Sequence, residues 1–187
     1  MTYYGAKELA ASFRTVRKNT IQIAEEIPEN KYEFRAAPET RTIAGTLAHI
    51  ALSPRFQTHV LKNKVTDLRQ VNFPALFQEL MAEETKPRSK DELIALLKTE
   101  GETFAALIES LPESVLAERV LTPFGADPAV PTDRSRFEML LSPKEHEMHH
   151  RAQLMVLQRM LGLVPHLTRQ MQQRMAQAQA AAGQQAR

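Results

Sequence analysis

The sequence predicts an all-α protein: a four-helix bundle with two long connecting loops and an extra C-terminal segment. Three observations carry this expectation. Apolar residues recur every three or four positions through most of the chain, the period of one helix face. Prolines, glycines and capping residues fall where those stretches start and stop. No run alternates long enough to read as a strand. A length of 187 residues corresponds to one domain able to bury roughly 70% of its extended-chain surface. Residues 1–167 are assigned to the bundle and 168–187 to a separate Gln/Ala-rich helix or tail.

Leu9, Phe13, Val16, Ile23 and Ile27 mark a first helix over about 4–27, stopped by Pro28. A second runs from Thr42 to about 64, with Leu52, Phe56 and Val60 on one stripe and a kink expected at Pro54, which removes a backbone donor. Within 65–88 a short helix from Pro74 to Met81 is expected. Ser89 followed by Glu92 reads as a capping box opening a third long helix, through Leu93, Leu97, Phe104 and Leu107 to Pro112. The stretch 112–134, with Pro112, Pro123, Gly125, Pro128 and Pro131, reads as an ordered irregular loop of the length that often covers a site. A fourth helix spans about 135–163 and closes at Gly162. Beyond it, Met171, Met175, Ala178 and Ala182 have helical spacing, compatible with a weak helix or a frayed tail.

The chain has no cysteine, which excludes disulfides, thiolate ligands and a cysteine nucleophile. It has no apolar run of the ~18 residues that cross a bilayer, and its start lacks the features of a signal peptide. A cytoplasmic protein without membrane contact is expected. Net charge is +2 and pI about 9.0, yet no Asp or Glu follows Glu147 while five arginines do. Those arginines are dispersed and lack interleaved aromatics, so a solvated face is expected rather than a nucleic-acid interface.

Chemistry concentrates in Glu145-His146-Glu147-Met148-His149-His150-Arg151. Histidines at i and i+4 lie about 6 Å apart along one helix face, near the reach of one metal ion. On a helical wheel Met139, His146, Leu154, Leu157, Leu161 and Val164 fall within about 40° of His150, so both imidazoles face the core. Burying two unpartnered imidazoles is costly, and a bound cation resolves that cost. His149 points about 100° away. His49 shares the inward stripe of the second helix and is the candidate third ligand from a facing helix; the plainer alternative is a core histidine held by Ser53 or Thr46. His59 and His166 are read as structural or surface residues. His146-Glu147-x-x-His150 also matches the zincin pattern, with Glu147 as general base. Gln153 and Val156 replace the glycine and third histidine of its long form, and no downstream carboxylate serves the other form. The peptidase reading fails, but Glu147 remains a candidate catalytic residue, near enough to take a proton at the metal.

These residues resemble the DinB-like (DinB/YfiT-type) metalloenzymes, four-helix bundles with a three-histidine site. The matching strings are Thr46-Leu47-Ala48-His49-Ile50, then His146-Glu147-Met148-His149-His150-Arg151-Ala152-Gln153-Leu154, and finally Leu161-Gly162. The resemblance covers roughly residues 5–165 and carries the family's ligands onto His49, His146 and His150. Ala152 stands where the family usually has glycine, and the C-terminal tail has no counterpart. Some relatives are similar to transferases and isomerases that use low-molecular-weight thiols, and bundles of this type are often homodimers.

Three neutral imidazoles leave a divalent ion, zinc or nickel, with its full charge and an open position. The first expectation is therefore an enzyme that activates a small-molecule thiol for transfer to an electrophile. The second is a hydrolase acting through water on the ion, and the third a non-catalytic metal-binding bundle. Met148, Ala152 and Met155 form a second apolar row, expected at a homodimer face.

Overall fold

In the computed structural model, which describes residues 4–123 and 132–185, helices α1 (Ala6–Glu26), α2 (Ile43–Leu52), α5 (Lys90–Glu109) and α7 (Arg136–Met160) form the bundle. Between them run α3 (Pro54–Lys62), α4 (Phe73–Glu84), α6 (Glu113–Ala117) and a two-stranded antiparallel sheet of β1 (Arg119–Thr122) and β2 (Thr132–Ser135). Helix α8 (His166–Gln185) follows the bundle. Around the core, α1 lies against α5 and α7, and α2 lies against the same two helices.

Local chemistry sets the helix starts. The Thr42 hydroxyl accepts from the Gly45 amide at 3.0 Å, and Ser135 does the same for Glu138 at 3.1 Å. At Ser89 the expected capping box is complete: its hydroxyl accepts from the Glu92 amide, and the Glu92 carboxylate accepts from the Ser89 amide at 2.7 Å. Gly162 takes the left-handed conformation (φ 77°) that ends the α7 turn without a Cβ penalty.

The apolar stripes meet in two main clusters. Ile23, Ile27, Ile43, Leu47, Leu97 and Leu154 fill one half of the bundle; Leu9, Phe13, Phe104, Ile108, Leu116 and Leu140 fill the other. Phe13 and Phe104 meet edge to face, 5.1 Å between centroids. A smaller cluster of Val60, Leu68, Val120 and Met139 lies under the long connections.

Three expectations change. The second helix is two helices, because Ser53 separates α2 from α3 and Pro54 opens α3 as its first residue, where a missing donor costs nothing. The stretch 112–134 is not simply a loop: it holds α6, β1 and β2, with Val120 paired to Arg134 and Leu121 to Asp133. These strands are four residues each, too short for alternation to register against the surrounding prolines; Gly125, Pro128 and Pro131 lie outside the described residues. The C-terminal segment takes the helical one of its two readings, starting at His166, two residues before position 168. Val164, placed on the inward stripe, falls beyond the end of α7 and is 48% exposed.

Candidate metal centre

Helix α2 contributes His49 and α7 contributes His146 and His150, and the bundle brings all three together. One ring nitrogen from each lies within 4.8 Å of the others. His146 Nε2 is 3.1 Å from His49 Nε2 and 3.1 Å from His150 Nε2. Ring centroids are 4.5–4.8 Å apart. His150 is buried, and His49 and His146 are half-buried.

The partners of the other ring nitrogens determine which protons each imidazole carries. His49 Nδ1 is 2.7 Å from Glu84 Oε1; a carboxylate only accepts, so Nδ1 carries the proton and Nε2 is a bare lone pair. His150 Nδ1 donates to Gln153 Oε1 at 2.8 Å, which likewise leaves its Nε2 bare. Both lone pairs face His146 Nε2. One proton on that nitrogen can satisfy one of them and not both. His146 Nδ1 is buried and has no hydrogen-bond partner among the described residues. Two lone pairs converging on a third nitrogen fit a cation better than they fit one another, and 3.1 Å is close to the spacing of about 3.3 Å between imidazole nitrogens that share one tetrahedral zinc ion.

The electrostatics agree. Burial, and then the neighbouring His150 and His49, push His146 down to about 4. Burial also lowers His150, against the opposing bond from Gln153. Neutral imidazole is the form a metal requires.

His149 is exposed, its ring touching His150 and its Nε2 3.1 Å from Gln153 Nε2. His59 sits on α3 away from the cluster, and buried His166 pairs with Asn19 Oδ1 at 3.2 Å. Glu147 is the main departure. Its fully buried carboxylate receives Arg17 Nε at 3.0 Å on both oxygens rather than facing the three imidazoles. Arg17 also donates to the carbonyls of Leu97 and Ile50. The Ile50 carbonyl is free to accept because Pro54 supplies no helical donor four residues on. Gly101 makes the space: a Cβ there would stand 2.7 Å from Arg17 Cγ.

Sequence reasoning missed Glu84 and Arg17, whose partners are 35 and 130 residues away. For Arg17 a signal existed in Gly101, a glycine inside an otherwise regular helix. The short helix between 65 and 88 was expected, but nothing in its sequence pointed Glu84 at His49.

His49 and His146 open on a cavity of about 420 Å³ between α4, α3 and α7, walled by Leu52, Phe56, Phe77, Leu80 and Pro143. A larger groove over α1 and α5, about 770 Å³, has no histidine in its lining.

The model of the DinB superfamily matches residues 12–154. Among solved structures, YfiT from Bacillus subtilis, described as a probable metal-dependent hydrolase with an unusual four-helix bundle topology, is 16% identical. It superposes with a TM-score of 0.64 over 87% of this chain and 91% of its own. The mycothiol-dependent maleylpyruvate isomerase is 16% identical, with a TM-score of 0.62 over 82% of this chain and 63% of its own. The colibactin self-resistance protein ClbS, solved in complex with dsDNA, is 14% identical, with a TM-score of 0.56 over 82% of this chain and 97% of its own. At these identities the likeness concerns the fold. None of the curated proteins compared with the chain matches it.

Proposed function

The chain belongs to the DinB superfamily, and from that premise we propose that His49, His146 and His150 hold one divalent ion, zinc or nickel, in a centre that activates a small-molecule thiol for transfer to an electrophile. The observation that carries the reading is the convergence of three Nε2 atoms, two of them on rings whose Nδ1 faces an acceptor, Glu84 or Gln153, which favours the tautomer with Nε2 free to ligate. When bound, the ion would supply the positive charge that brings an entering thiol's pKa toward neutrality.

The chain's own residues do the rest. Glu84 and Gln153 hold two rings in the ligating tautomer. The apolar walls of the cavity give the apolar part of a substrate a surface to pack against beside the imidazoles. With no cysteine in the chain, the sulfur must arrive on a small molecule. In the transfer the sulfur lone pair forms the new bond to the electrophilic carbon, the thiol proton passes to solvent, and the electron pair of the broken bond leaves with the displaced group. The mycothiol dependence of the isomerase neighbour supports this reading.

The second reading, hydrolysis, is supported by the description of YfiT. It would use Glu84 in place of Glu147, because Glu84 is the sole carboxylate among the described residues lining the cavity and Glu147 is held by Arg17. A small-molecule substrate is favoured over DNA by the engagement of two of the C-terminal arginines: Arg159 donates to Thr168, and Arg169 pairs with Glu26. We also propose a homodimer; Met155 of the expected row packs against the core cluster instead, so the covered face is the exposed Met148, Val156 and Met160 of α7 with Met171 and Met175 of α8.

The test is a thiol titration of cobalt-substituted protein, followed by an assay of thiol conjugation to an electrophile. A sulfur-dependent absorption change and a thiol-dependent rate, both absent in His150→Ala, are expected. Turnover that ignores thiol, and that weakens in Glu84→Gln even with zinc at saturation, would instead establish the hydrolase.

A further inference from the structure

Helix α4 is unusual in this molecule because none of its twelve residues is buried. Its apolar residues nevertheless fall on one side: Phe73, Phe77, Leu80 and Met81, with Phe77 46% and Met81 64% exposed. Phe56, Phe73 and Phe77 lie nearly parallel, with interplanar angles of 10–27°. Three of these α4 residues, Phe77, Leu80 and Met81, face the cavity beside His49 and His146. A helix that leaves its apolar side over an open cavity is short of a packing partner, and an apolar ligand body would supply one.

The cavity's polar lining is lopsided. Arg41 is the sole cationic residue among the described lining residues. Its side chain is 50% exposed, and its nearest carboxylate oxygen, Glu84 Oε2, is 3.8 Å away, beyond hydrogen-bond range. The other oxygen of Glu84 is taken by His49. Neighbouring guanidinium groups are spoken for: Arg55 makes two bonds to Glu100, and Arg88 bonds Glu83. The planar fork of Arg41 thus remains available at the rim, in the arrangement that recognises a carboxylate through paired bonds. A single guanidinium suits one negative charge better than the two of a phosphate.

We propose that this cavity takes the electrophilic substrate, a small molecule with an apolar body about the size of one aromatic ring and a single carboxylate. Arg41 holds the carboxylate at the rim, and the body lies against the cavity wall formed by Phe56, Phe77 and Leu80 with its far end toward His49 and His146. The volume of about 420 Å³ is at the small end of ligand pockets, which span roughly 300–1,000 Å³. Arg41 is therefore a specificity-determining residue. The orientation toward the imidazoles rests on the metal reading above; the recognition of the carboxylate by Arg41 does not.

The experiment is calorimetric titration of zinc-treated protein with 3-phenylpropanoate and with its neutral counterpart 3-phenylpropanamide, the zinc content being measured on the same samples. The carboxylate is expected to bind about tenfold more tightly than the amide. In Arg41→Gln that preference should fall to within about twofold while the amide's affinity is unchanged, and Phe77→Ala should weaken both probes alike. Equal affinities in the unaltered protein, a preference that survives Arg41→Gln, or no binding of either probe at about 5 mM overturns the proposal. An Arg41-dependent preference in protein that takes up no zinc would sink the metal reading alone. Stoichiometric zinc without a carboxylate preference would sink this proposal alone.

Discussion

His146 stands between two imidazoles, its Nε2 3.1 Å from each, and its own chemistry makes the centre testable by pH. Its folded value is about 4, against an ordinary 6.5. Between those values the unfolded chain binds a proton that the folded chain refuses, so metal-free protein loses stability as pH falls through that window and stops losing it below about 4. The contribution is at most about 3 kcal/mol. Urea midpoints of metal-free protein at pH 7 and pH 4.5 should therefore differ more than those of His146→Gln; equal differences would remove the buried neutral imidazole from the account. The carboxylate behind His49 should matter nearly as much as the ligands, since such partners fix ring orientation and basicity. Glu84→Gln is expected to lower zinc affinity about 10–100-fold in a chelator competition. An unchanged affinity would make the 2.7 Å contact incidental.

At the scale of elements, the rotation of α7 about its axis decides where His146 and His150 point, and the buried Arg17–Glu147 pair holds that rotation. Glu147 lies between the two histidines and is anchored to α1; Arg17 is anchored in turn to α5 through Leu97 and to α2 through Ile50. Glu147→Ala leaves a buried guanidinium without its counter-charge and should cost about 3–5 kcal/mol in urea unfolding. Gly101→Ala, which forces Arg17 aside, should cost about 1–3 kcal/mol even though alanine is the better helix former. A stabilised Gly101→Ala would show that Arg17 is not confined as described. These contacts mark the limit of what the sequence reveals. Helical period places His146 and His150 on the core side of α7 and His149 off it, because that judgement needs one helix and 100° per residue. It reaches His49 through the stripe of Leu52, Phe56 and Val60, which runs on from α2 into α3. It does not assign Glu147, whose angle of about 60° from His150 is compatible with facing either the imidazoles or α1. Only packing, with Gly101 opening the space for Arg17, decides that. The sheet was illegible for a different reason. Its strands are four residues long, and β2 has no buried residue to leave a pattern.

For the whole molecule, the bundle's two main apolar clusters are independent of any ion, so metal-free protein should remain folded and melt cooperatively above room temperature. An unfolded metal-free form would make the ion structural. The long α8 is exposed along nearly all of its described length and carries Met171 and Met175 toward solvent. A dimeric mass by light scattering at tens of micromolar, reverting to monomer in a Met171→Glu, Met175→Glu variant, is the expected result. A monomer at that concentration removes the homodimer. The central claim is the three-histidine centre itself, and elemental analysis of protein purified without a histidine tag tests it most directly. The account requires about one divalent ion per chain, retained in His149→Ala and lost in each of His49→Ala, His146→Ala and His150→Ala. Metal content unchanged in two of those three variants, or an unaltered protein that takes up no zinc or nickel when they are supplied, would contradict it.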